Sequence, residues 1–151
     1  MSLWDWALEV YRRPGVEAAC LRLQDEAGQC VPYLLWAVWA DPPPEALRAG
    51  AAIAKPWQAR VVAPLRAARQ AAKPAFDGVN DAGRETLRAA VQANELQAER
   101  LLLQALEAIA RPARPVRAAP LDRLTRAALA WGGPIVELSF LKEAARPFSG
   151  L

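Results

Sequence analysis

Apolar positions recur every three or four residues along almost the whole chain, and strict alternation is absent, so the pattern predicts helices and no sheet. Leu3, Trp6, Ala7 and Val10 form the first such stripe, and Ser2 with Asp5 three residues on approximates a capping box at its start. Pro14-Gly15 ends that helix. A second is expected from Val16 to about Ala27, with Val16, Ala19, Cys20, Leu23 and Ala27 on one face and Gly28 beyond its end. The third opens with Pro32 in its first turn and is apolar nearly all round through Trp39, which marks it as the central element. Asp41-Pro42-Pro43-Pro44 stops it.

A short helix is expected over Glu45 to Ala54, and Lys55-Pro56 then opens another from Trp57 to about Ala72, kinked at Pro64. The longest helix runs from about Asp81 to Ala110. Its stripe reads Leu87, Val91, Asn94, Ala98, Leu101 or Leu102, Ala105 and Ile109, long enough to span the domain. Residues 111–120 carry three prolines, three arginines and no acidic group, the pattern of a flexible, exposed connection. A helix from Leu121 to Ala130, a last short one from Pro134 to Ala144, and a loose C-terminal tail complete the expectation. The fold class is therefore all-α: one domain, 1–151, a compact helical bundle of about six to eight helices around one long helix near 81–110.

Composition narrows the chemistry. The 151 residues are 54% hydrophobic, enough for a core without disulfides or metal. Histidine is absent, which removes the commonest neutral-pH base, every imidazole triad and most transition-metal sites. Cys20 and Cys30 have no metal-like spacing. No cofactor is expected, and an enzyme could rest only on carboxylates or lysines. The longest strongly apolar run, Val31 to Ala40, is about half of the roughly 20 residues a membrane span requires. Asp5 and Glu9 interrupt the apolar start, unlike a signal peptide, so a cytoplasmic location is expected.

The stretch LWDWALEVYRRPGVEAACLRLQDEAGQCVPYLLWAVW resembles an uncharacterised bacterial family of small helical proteins, classed as a domain of unknown function. The resemblance lies in the Leu-Trp start, a tyrosine before Pro14-Gly15-Val16, Leu23-Gln24-Asp25 before the glycine, and the Leu34-Leu35-Trp36 run. From Trp57 onward, W...VV.PLR..R...K and ELQAER are also similar. The resemblance implies a helical fold and a bacterial cytoplasm, and it assigns no functional residue.

Charge falls in blocks. Residues 1–45, 46–73, 74–110 and 111–151 balance at −4, +6, −3 and +4. One reading is that acidic and basic helices neutralise one another where they pack. The sharper one gathers Lys55, Arg60, Arg66, Arg69 and Lys73 with the arginines of 111–126, Arg114 and Arg117 among them, into a cationic surface for RNA, a ribosome or an acidic protein. Among six tryptophans, Trp4 is the candidate for exposure at an interface, since Trp4 and Trp6 cannot share one helix face. Glu95 and Glu99, four apart, are the candidate carboxylates for cation or acid/base work, set against a solvated helix face. The expected function is binding a protein partner through an aromatic-apolar patch rimmed by arginine, with RNA or ribosome binding and a carboxylate-dependent enzyme as alternatives. The small alanines of the long helix also permit close approach of a second copy.

Overall fold

The computed structural model describes residues 1–112, 118–132 and 137–150, and every regular element among them is helical. Half of the expected flexible connection, 113–117, lies outside the described residues. No helix among them is long and apolar enough to cross a membrane.

The first two helices follow the sequence signals closely. α1 (Leu3–Tyr11) starts where Ser2 Oγ accepts the Asp5 amide at 3.2 Å and donates to the Asp5 carboxylate at 2.6 Å. α2 (Val16–Asp25) begins after Gly15, whose φ of 84° is left-handed and favours glycine.

α3 (Val31–Ala40) is the axis of the core, with only Trp39 among its residues escaping full burial. A helix buried on all sides must still place its polar side-chain atoms. Tyr33 donates to the Leu47 carbonyl at 2.9 Å and Trp36 to that of Ala110 at 3.0 Å. Asp41, at the left-handed end of α3, accepts from Arg126, while Arg123 donates to the Val38 carbonyl. α7 (Pro120–Trp131) thus closes the carboxyl end of α3.

α4 (Pro44–Trp57) corrects one expectation: no break occurs at Lys55-Pro56, and helical structure continues to Ala71. The carbonyl that Pro56 deprives of a partner belongs to exposed Ala52, where water can satisfy it. The anomaly falls further on. Over Gln58–Val62 the helix widens, and the Ala63 amide donates to the Gln58 carbonyl five residues back. Such a turn makes room for the ring of Pro64, which would otherwise strike the carbonyl of residue 60. α5 (Ala63–Ala71) follows directly.

α6 (Asp81–Ile109) is the long helix, capped by Asn80 accepting the Gly83 amide at 2.8 Å. Its packing changes along its length. Ala98, Leu102, Leu103 and Leu106 enter the core, but nothing before Glu95 is buried, and α5 buries no residue at all. Residues 63–94 therefore form a two-helix arm outside the bundle, with α5 packed on α6. The expected stripe of α6 is corrected at two positions, Leu87, which is 60% exposed, and Asn94, also exposed; of the pair Leu101 and Leu102 it is Leu102 that enters the core, leaving Leu101 45% exposed.

α8 (Leu138–Ala145) packs on α7 and α2, and Arg146–Phe148 forms a short tight turn. The tail expected to be loose is anchored there, because Phe148 is buried in the core beside Pro147, which covers Gly15.

Candidate functional site

The root of the arm gathers opposite charges from two neighbouring helices. Arg66 and Arg69 lie three apart on α5, and Glu95 and Glu99 four apart on α6, so each pair presents one face to the other. Arg66 Nε donates to Glu95 at 2.9 Å and its Nη2 to Glu99 at 3.0 Å. Arg69 Nε donates to the other Glu95 oxygen at 2.6 Å. Glu95 is only 6% exposed, and both its oxygens are held by guanidinium groups.

This corrects two expectations. Arg66 and Arg69 do not stand with Lys73 as free cations, since both are spent on carboxylates, whereas Lys73 is exposed near the arm's turn. Glu95 is not on a solvated face. Their charge is buried because α5 offers α6 no large apolar surface, and a desolvated carboxylate needs charged donors.

The two glutamates differ. Burial raises the Glu99 carboxyl above its ordinary range, Arg66 opposing the shift and Glu95 adding to it. The side chain keeps about a quarter of its exposure, and among the described residues only its Oε1 accepts a hydrogen bond. Beside it, burial raises the Tyr11 phenol as well, with the charges of Cys20, Glu99 and Glu17 reinforcing the effect, so that Tyr11 stays neutral.

Glu99 and Tyr11 line two hollows at once. The polar one, of about 350 Å³, is bounded by Arg66, Arg69, Glu95, Glu17 and Gln92. The apolar one, of about 180 Å³, is bounded by Trp4, Leu8, Leu35 and Leu103. Tyr11, Gln24, Leu96 and Glu99 belong to both, which makes them one cleft between α1, α2 and the root of the arm. Trp4, expected to be exposed, is half-buried here with the Arg100 guanidinium 5.3 Å from its ring centroid, because α1 lies against α6.

Two further hollows lie along the exposed stripe of α6. Ile53, Pro56, Trp57, Arg60, Val61, Leu101 and Ala105 line one of about 390 Å³, beside the widened turn. Exposed Arg60 stands on its rim, and Trp57 is fixed by donating to the Ala98 carbonyl at 2.9 Å. At the arm's tip, Phe76, Val79 and Leu87 are each more than half exposed around another hollow. Arg84 closes that turn by donating to the carbonyls of Ala72 and Lys73 at 2.8 Å.

The structure thus joins Arg66, Arg69, Glu95, Glu99 and Trp4 around one cleft and leaves Arg60 and Lys73 apart from it. Arg114 and Arg117 lie outside the described residues. Tyr11, Trp57, Leu87 and Leu101 were not read from sequence as functional residues, Leu87 and Leu101 being placed in the stripe of α6. The signal for the first was its tyrosine between two helices, and for the last two a stripe more apolar than its neighbours can cover. Among the described residues no three histidine, cysteine or acidic side chains gather to hold a metal ion.

A family profile described as "Protein of unknown function (DUF2390)" matches residues 2–106, which include the cleft, the stripe and the arm. No curated protein and no solved structure matches the chain.

Proposed function

The chain belongs to the DUF2390 family, and on that premise we propose that it is an interaction protein whose exposed α6 stripe receives an amphipathic helix of a protein partner. The observation that carries this reading is the half of the stripe that the fold leaves uncovered. Leu87 and Leu101 lie on one side of α6, four turns or about 21 Å apart, each beside a hollow. Each exposed leucine borders its own hollow, with exposed Asn94 and buried Ala98 between them, and offers one anchor point to a partner helix. Trp57 supplies the aromatic anchor and Arg60 the rim, a combination favoured at binding hot spots. The widened turn next to them adds support, since such turns are frequent at functional sites.

The basic-surface reading loses its centre once Arg66 and Arg69 are neutralised within the molecule. The decisive experiment is recovery of the tagged protein from its native cells at low and high salt, with nuclease treatment. A protein retained through high salt and nuclease, and lost from a Leu87→Arg/Leu101→Arg variant, supports the stripe. Material recovered only at low salt and removed by nuclease overturns it in favour of nucleic acid.

A further inference from the structure

The cleft at the arm's root has a chemistry separate from the stripe, and its geometry points to a small-molecule site for an amphipathic amine, the ammonium on Glu99 and the apolar body against Trp4 and Leu103. Three observations converge on this class. The cleft is polar at one end and apolar at the other, with Glu99 and Tyr11 at the junction, and its size is that of ordinary small-molecule pockets, about 300 to 1,000 Å³. Glu95 binds Arg66 and Arg69, and the carboxylates of Glu17, Glu95 and Glu99 outnumber the two guanidinium groups around the polar hollow, which favours a cationic ligand over an anionic one. Two acceptors in that lining take no hydrogen bond among the described residues, the second oxygen of Glu99 and the exposed carboxylate of Glu17.

An arriving ammonium relieves the cost that burial imposes on ionised Glu99 and completes its unfilled oxygen with a charge-assisted hydrogen bond. Tyr11, neutral, lines both ends of the cleft. The hollow beyond admits a short alkyl or aryl body and removes apolar surface from water. A carboxylate of the same length meets Glu17 and Glu99 at the same place and is repelled.

The test is calorimetric titration of the intact chain with n-hexylamine, n-hexanol and hexanoate. The expected result is saturable one-to-one binding of the amine, with the alcohol and the acid weaker by about tenfold or more. Glu99→Gln should weaken the amine by a similar factor, while Glu45→Gln, remote from the cleft, leaves it unchanged. Leu8→Trp fills the apolar hollow from a partly exposed position and should abolish binding with the charges intact. Circular dichroism establishes that each variant is folded, and Leu8→Trp carries the test if Glu99→Gln is not. Equal affinity for hexanoate, no saturation by hexylamine, or unchanged binding in Leu8→Trp overturns the assignment.

Discussion

The bundle and its arm are stabilised by different physics. Around α3 the chain buries Tyr33, Leu34, Leu35, Trp36 and Val38 almost completely, and most of the stability comes from apolar surface removed from water. In the arm no residue of α5 is fully buried, and the side-chain hydrogen bonds that tie it to α6 run from arginine to carboxylate and from arginine to carbonyl. The first kind of contact is non-directional and cooperative. The second depends on a few donors in fixed places and gains little where water competes. The arm is accordingly expected to open at a free energy below that of global unfolding.

Trp36→Ala is the harshest probe of the bundle. It empties the centre of the core and leaves the Ala110 carbonyl without its donor, for an expected loss of about 3–5 kcal/mol in urea unfolding. The built-in reporters are Cys20 and Cys30, both free, almost fully buried and with thiols pushed up to about 12 by burial. Their labelling by a thiol reagent should accelerate steeply in this variant.

Glu95→Gln acts on the other region. Two arginines lose their shared charge, and the expected loss is about 1–3 kcal/mol, read as faster hydrogen exchange in α5 and the first half of α6. Thiol labelling should stay slow. If the cysteines react as fast as in Trp36→Ala, the arm and the bundle are one cooperative unit and the contrast fails.

Asn80→Ala is the mildest change, removing one cap at the arm's tip for about 1 kcal/mol or less. Its effect should be confined to exchange at the first turn of α6, around Gly83. Protection lost along the whole arm instead would mean that the tip, not the ion-pair cluster at the root, governs opening.

The same contrast explains what could be read from sequence. Where burial decides, periodicity is informative: α3 was recognisable from its run of apolar residues, α6 within a residue of its ends, and the Ser2 cap from its hydroxyl. Where polar contacts decide, it misleads. Leu87 has the spacing of a core residue but lies in the arm, and Leu101 stands beside buried Leu102 on the outward face of α6; nothing local in the sequence records either placement. Glu95 has the look of a surface residue because its partners are 26 and 29 positions away. The alternating charge of the segments was the trace of this pairing, although it could not say which residues meet. Phe148, isolated in a polar tail, carried no periodic signal at all.

The widened turn at Gln58–Val62 has a consequence for length. A bond that reaches five residues back stores one residue more than an α-helical turn, and it absorbs that residue without altering the faces on either side. A chain one residue shorter at this point could keep Arg66 and Arg69 aimed at α6 with an ordinary helix. Tightening the turn at constant length would instead rotate α5 by about 100°, a single residue's phase, and swing both arginines away from Glu95. The alignment of the arm's charges is thus tied to a counting anomaly in the helix that precedes it.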